Sequence, residues 1–297
     1  MRIIVAGSSG FLGSHLVPHL RDHGHEVVRL VRRGTAAPDE SIWDPYSSDL
    51  DVQVIHGADV VINLAGSPTA GNPHSNKWAA ELLRSRVTTT DLLARTIAEA
   101  PSPPAFLAGN GISYYGDRGA QVLTEQDPSH GEALLTRVTR EWQAATDPAV
   151  TAGGRVCILR TAPVLDHRSP PLKQQLPLFR AGLGARLGSG EQYFPIISLR
   201  DWVGAVTHLA ETPAARGPFN LCCPSTPTNA EFTDALAASV GRKARLVAPS
   251  FVLKRAAGAM APELLGSLRA RPAALEESGY TFQDVDVSAV LAAALSD

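Results

Sequence analysis

Residues 7–13 read Gly7-Ser8-Ser9-Gly10-Phe11-Leu12-Gly13, and their reading decides the fold. A short β-branched run, Ile3-Ile4-Val5-Ala6, leads into them. Phe11, Leu12, His15, Leu16, His19 and Leu20 follow at helical spacing, and Gly24 ends that helix. A G-x-x-G-x-x-G pattern between a strand and a helix is the context of a dinucleotide-binding turn. Gly7 permits the tight turn, Gly10 lets a pyrophosphate approach the backbone, and Gly13 lets the helix pack closely on the sheet. Ser9, Phe11 and Leu12 complete the cradle, where free N–H groups and a partial positive charge favour phosphate.

The second strand, Glu26 to Val31, runs into Arg32-Arg33-Gly34. An NAD site places a carboxylate about 20 residues beyond the glycines. Arg32 stands there instead, 19 residues past Gly13. A guanidinium pairs with a 2′-phosphate in bidentate fashion, so Arg32 and Arg33 predict NADP(H) as the cofactor. Asp59 to Leu64 reads as a buried strand, and the small residues after it predict that Leu64, Ala65 and Gly66 border the cofactor at the switch point.

Outward from there the strand–helix alternation continues. Lys77 to Ala100 reads as a long helix, Ala105 to Ala108 as a strand, Glu132 to Ala145 as a helix and Gly154 to Leu159 as a strand. This predicts an α/β chain with a Rossmann-type, doubly wound parallel sheet. Residues 166–200 are rich in Pro and Gly. Helical signals return at Trp202 to Glu211 and Glu231 to Val240, and apolar runs at Phe251 to Ala259 and Leu264 to Leu268. The expected organisation is an NADP-binding domain over 1–165 with late additions at 201–225, and a smaller C-terminal substrate lobe from 166–200 and 226–297.

The 297 residues carry 27 basic and 29 acidic side chains, a formal charge of −2. That balance excludes a nucleic-acid or acidic-membrane binder held by bulk charge. No apolar run approaches the ~18 residues of a membrane span, and the start lacks the features of a secretory signal, so a cytoplasmic protein is expected. Cys157, Cys222 and Cys223 form no disulfide framework. His15, His19 and His23 are spaced by four along one helix face, but packing and surface roles fit them better than metal. The expected partners are a small-molecule substrate and, at most, a second copy of the chain: monomer or homodimer.

Taken together, the turn, Asn63-Leu64-Ala65-Gly66 and Tyr114-Tyr115-Gly116-Asp117 resemble the extended or atypical short-chain dehydrogenase/reductases, most nearly their "epimerase family" branch (SulA-like, NAD-dependent epimerase/dehydratase-like). Trp43-Asp44-Pro45, Trp78 with Ser85-Arg86-Val87, Leu123-Thr124-Glu125, Leu159-Arg160, Asp201 and Leu275 to Phe282 extend the resemblance along essentially the whole chain. Short-chain dehydrogenases use a Tyr-x-x-x-Lys pair and a Ser for proton exchange; the resembled branch tends to lack them, and here the corresponding positions hold Leu135, Thr139 and Gly111. Any acid must come from the Asn110 to Tyr115 segment or from the late lobe. The candidates are Asn110, Ser113, Tyr114 and Tyr115, just past the Ala105 strand. Further departures occur at Ala108-Gly109-Asn110-Gly111, Ser169-Pro170 and Ile196-Ile197-Ser198. Glu191 to Pro195 offers one carboxylate and two aromatics where nucleotide-sugar enzymes use basic residues, which suits a flatter, less anionic ligand, with Arg180 and Arg186 left as candidate anion partners. Two readings follow: an NADP(H)-dependent oxidoreductase on a small organic molecule, or an NADP(H)-binding sensor or scaffold without redox turnover.

Overall fold

The structure, a computed structural model, describes residues 1–32 and 37–296. Its centre is an eight-stranded sheet. In chain order the first strands are β1 (Arg2–Ala6), β2 (Glu26–Val31), β3 (Glu40–Asp44), β4 (Asp49–Leu50), β5 (Val60–Asn63) and β6 (Ala105–Gly111). Strands Val156–Thr161 and Gly217–Leu221 complete it beyond β6, while β2, β3 and β4 extend it on the other side of β1. All pairings are parallel except β3 with β4. The winding reverses between β1 and β5, which creates a crevice at their carboxyl ends.

Alternation along the strands builds the two faces. Ile3 and Val5 join Leu16 and Leu20 of helix α1 (Phe11–Asp22) and Trp202 and Val206 of helix Leu199–Glu211 in one core. Ile4 and Ala6 point the other way and pack with Leu93 and Ile97 of the long helix that follows β5. Helices on both faces explain why the strands read as continuous apolar runs. That long helix is α3 (Asn76–Ala98), after the short α2 (Val52–His56); α4 (Leu134–Ala144) follows β6. Ser75 caps α3 by accepting from the Trp78 N–H at 3.2 Å.

The Pro-rich stretch 166–200 contains a helix the sequence pattern conceals, Pro170–Arg180. Pro170 and Pro171 occupy its first turn, where a missing N–H costs nothing. Leu172, Leu176 and Phe179 then fall at i, i+4 and i+7 and are buried. They belong to a third core with Ile196, Phe232, Leu236, Val290 and Leu291. Helix Asn229–Ser239 enters this core behind a capping box, Thr228 with Glu231.

One buried carboxylate ties the late chain to the sheet layer. Asp201 is fully buried and accepts from the Gln283 N–H (2.9 Å), the Asp284 N–H (2.8 Å) and the Tyr280 hydroxyl (2.9 Å). Arg200 pairs with Asp284 beside it.

All three cysteines are buried and unpaired. Burial pushes the Cys157 thiol up to about 11 and Cys223 up to about 12, and raises Cys222 as well. Thiolate is the reactive form. Titration with an aromatic disulfide reagent at pH 8 should therefore find almost no reactive thiol in the folded protein and all three after denaturation. Rapid reaction of a native thiol would mean that one of these sites opens to solvent.

No helix among the described residues is long and apolar enough to cross a membrane.

Candidate functional site

Sheet register gathers the candidate residues. Ala6 pairs with Leu30 on one side and Asn63 on the other; Asn63 pairs with Ala108, and Asn110 with Arg160. The glycine turn, Arg32, Leu64 to Gly66 and the segment after Asn110 therefore leave the sheet together at its carboxyl edge.

The three glycines do different work. Gly7 has φ +82°, and a Cβ there would stand 2.6 Å from the Leu64 carbonyl carbon. A Cβ on Gly13 would lie 2.3 Å from the Gly7 oxygen. Close backbone approach requires glycine at both. Gly10 has φ −73°, open to any residue. Its Cβ would meet one atom within 4 Å, the Gly7 oxygen at 3.3 Å. The protein leaves the space before Gly10 empty of its own atoms. Helix α1 begins there with no side-chain cap and no acidic residue in its first turn. The N–H groups of Phe11, Leu12 and Gly13 thus lack intrahelical acceptors and, with the helix dipole, suit an anion. Ser9 is exposed beside them.

Across the crevice, the fully buried Asn63 shapes the second turn. Its Oδ1 accepts from the Ala65 N–H at 3.0 Å, and its Nδ2 donates to Thr90 Oγ1 at 2.9 Å. Leu64 is held by its N–H to the Ala6 oxygen (2.9 Å). Gly66 faces Arg86 of α3: a Cβ would lie 3.2 Å from Arg86 Cγ. The Arg86 guanidinium donates to the Leu82 oxygen and Thr69 Oγ1, both at 3.1 Å, and stands 5.1 Å from the Trp142 ring centre. Burial, with no carboxylate paired to it among the described residues, pushes it down to about 10. Sequence reasoning quoted Arg86 only as part of a motif; its isolation from counter-charge is visible only in three dimensions.

The four acid candidates separate sharply. Asn110 is buried, with Nδ2 donating to the Thr139 oxygen (3.0 Å) and Oδ1 accepting from the Gly111 N–H (2.7 Å). Tyr115 is fully buried; its hydroxyl donates to Asn220 Oδ1 and accepts from Arg160 Nη1, both at 2.7 Å. Desolvation raises this phenol well above its ordinary value. Both side chains are spent on internal bonds. Tyr114 is half-buried, makes no side-chain hydrogen bond among the described residues, and lies with its ring centre 3.7 Å from the Arg160 guanidinium carbon. Ser113 is half-buried and its hydroxyl donates to Glu263 Oε2 at 2.6 Å.

The positions of the missing triad do meet. A Cβ on Gly111 would stand 3.1 Å from Thr139 Cγ2. Thr139 Oγ1 bonds back to the Leu135 oxygen at 2.8 Å, so it satisfies its own helix. Arg32 is exposed just past β2, and Arg33 lies outside the described residues.

The profile of the NAD dependent epimerase/dehydratase family matches residues 3–222. The chain belongs to this family. A domain of unknown function, DUF1731, matches residues 248–294 of this epimerase-family chain. An epimerase family protein of Mycobacterium leprae is 39% identical over 281 residues, covering 94% of this chain and 91% of that protein. The crystal structure of human epimerase family protein SDR39U1 (isoform 2) with NADPH superposes with a TM-score of 0.87 at 32% identity, covering 98% of both chains. A nucleoside-diphosphate sugar epimerase from Corynebacterium glutamicum superposes at 0.82 with 31% identity, covering 99% of this chain and 58% of that one. The family assignment agrees with the α/β, doubly wound sheet and with the order of motifs along this epimerase-family chain.

Proposed function

We propose that this protein is an NADP(H)-dependent oxidoreductase acting on a small organic molecule without the usual Ser/Tyr/Lys triad. The observation that carries the reading is the uncapped start of α1 facing the open space at Gly10, a cradle that fits a pyrophosphate. A relative at 32% identity that was crystallised with NADPH supports it. Gly7, Ser9, Gly10, Phe11, Leu12 and Gly13 would hold the pyrophosphate. Arg32, with Arg33, would take the 2′-phosphate, and Leu64, Ala65 and Gly66 would border the cofactor. Arg86, which has no ion-pair partner among the described residues, would give its charge to an anionic group at that turn, because a desolvated guanidinium without an anion is costly.

When bound, the cofactor supplies or accepts hydride. The chain's own task is to position substrate, exclude water and move one proton. Asn110 and Tyr115 brace the segment, which leaves Ser113 and Tyr114 to face the proton transfer. Residues 1–165 with 201–225 would form the cofactor domain, and 166–200 with 226–297 the substrate lobe, in a cytoplasmic monomer or homodimer. A second reading, an NADP(H)-binding sensor or scaffold without turnover, draws on the Leu135, Thr139 and Gly111 positions.

Calorimetry tests the cofactor assignment. Arg32→Ala should weaken NADPH by ~1.5–3 kcal/mol, the worth of a charge-assisted pair, and leave NADH within about twofold, well under 1 kcal/mol. Equal losses for both cofactors would remove Arg32 from the 2′-phosphate site. NADPH consumption across a panel of carbonyl compounds then separates the two readings.

A further inference from the structure

Position 263 lies 150 residues beyond Ser113, in the short helix Ala261–Leu265 of the late chain. This helix brings a carboxyl group to the end of β6, where the Tyr, Lys and Ser that short-chain dehydrogenases use for proton transfer are replaced by Leu135, Thr139 and Gly111. The contact is direct, Ser113 Oγ to Glu263 Oε2 at 2.6 Å. Glu263 has no ion-pair partner among the described residues, and its one side-chain hydrogen bond there is to Ser113. The charged and titratable groups on the elements around it look elsewhere. His74 contacts the Ala256 oxygen (3.2 Å), and Asp117 accepts from the Ser267 N–H (3.2 Å). Arg140 of α4 pairs with Glu132 (2.9 Å). Arg137 and Glu141 of α4 and Lys254 and Arg255 of helix Ser250–Ala257 are exposed. Tyr114, next to Ser113, rests on Arg160.

A carboxyl that is shielded from water, meets no cation and touches one hydroxyl is a store for a proton. We propose that Glu263 supplies the reaction's proton through the Ser113 hydroxyl, taking over the task of the absent Tyr–Lys pair. The inference rests on the reductase reading above. As hydride reaches the substrate's carbonyl carbon, the C=O electron pair moves to oxygen. With Glu263 in its acid form the 2.6 Å contact runs from the carboxyl to Ser113 Oγ, so the substrate oxygen takes the Ser113 hydroxyl proton and Ser113 takes the proton of Glu263. The substrate is reduced, NADPH is oxidised, and solvent reprotonates the carboxylate. Ser113 is the group that meets substrate; Glu263 is a positioning residue that acts through it. Burial holds the Glu263 carboxyl above its usual range, which keeps the acid form available toward neutral pH.

The test compares wild type, Glu263→Gln, Glu263→Asp and Ser113→Ala, each loaded with NADPH. Glu263→Gln and Ser113→Ala should lower kcat about 100-fold, the usual worth of a general acid. KM and NADPH affinity should stay within about twofold, the mark of a group acting in the transition state. The pH limb present in wild type should vanish in Glu263→Gln and return, shifted, in Glu263→Asp. A second readout needs no turnover. A carboxyl whose folded pKa is raised stabilises most below its unfolded pKa and loses that contribution as pH rises. Urea unfolding should therefore show wild type losing stability relative to Glu263→Gln as pH climbs from about 4.5, near the unfolded glutamate value. An unchanged kcat and pH profile in Glu263→Gln, or a stability difference that ignores pH, would overturn the proposal and leave the reductase reading standing. Absence of any NADPH oxidation by wild type, with binding intact, would defeat the reductase reading and this proposal together.

Discussion

Gly10→Val should abolish NADPH binding in calorimetry while the protein stays folded. The backbone at Gly10 is ordinary, and a side chain there crowds only the Gly7 oxygen at 3.3 Å. Replacing glycine by valine at a helix N-cap costs about 1 kcal/mol at most, a small part of a domain's stability. The branched methyls would instead fill the space in which a pyrophosphate meets the N–H groups of Phe11 to Gly13. Gly13→Val serves as contrast, since its Cβ would run 2.3 Å from backbone and the fold itself should fail. A folded Gly10→Val variant that still binds NADPH would show that the turn holds no cofactor.

Asp201→Ala should cost about 3–5 kcal/mol in urea unfolding, because the Asp284 N–H, the Gln283 N–H and the Tyr280 hydroxyl lose their shared acceptor at once. Asp201→Asn keeps the shape but turns one acceptor into a donor facing another N–H. It should cost about 2 kcal/mol, the scale of one unsatisfied buried group. The m-value should hold if the folded and unfolded states keep their compactness. A loss below about 1 kcal/mol for Asp201→Ala would mean that the 280–284 segment is held by its apolar contacts instead. Tyr280 would then be the residue to remove, since it packs on the sheet-side core with Phe282.

The parallel sheet was legible because β1, β5 and β6 are short apolar runs with small residues at or just beyond their ends, and such punctuation survives in one dimension. The expected strand Asp59 to Leu64 appears as Val60–Asn63, and the expected helix Lys77 to Ala100 as Asn76–Ala98. Helix Pro170–Arg180 escaped because its prolines read as loop; Pro170 and Pro171 sit in the first turn, where a helix tolerates them, and the interior Pro177 is carried by the burial of Leu172, Leu176 and Phe179. At the site, proximity in sequence proved a poor guide to role. Asn110, Ser113, Tyr114 and Tyr115 are near neighbours, yet two are locked into internal bonds. Arg86 and Glu263 were overlooked for another reason. Their significance lies in what does not pair with them, and spacing along a chain carries no record of a missing counter-charge.

The third core has a temporal side. It joins Leu165, Leu172 and Phe179 to Val290, Leu291 and Ala294, and the His167 N–H bonds to the Ala294 oxygen at 2.8 Å. A chain made from its N-terminus can pair every strand of the central sheet once residue 221 has emerged. The residues from Leu165 to Ala237 that belong to this third core must wait for some fifty more before helix Val287–Leu295 arrives to cover them. At synthesis speeds of roughly 5–20 residues per second, apolar side chains stay uncovered for several seconds. During that interval a nascent chain offers chaperones, or its neighbours on the same message, a sticky half-built surface beside an already paired central sheet.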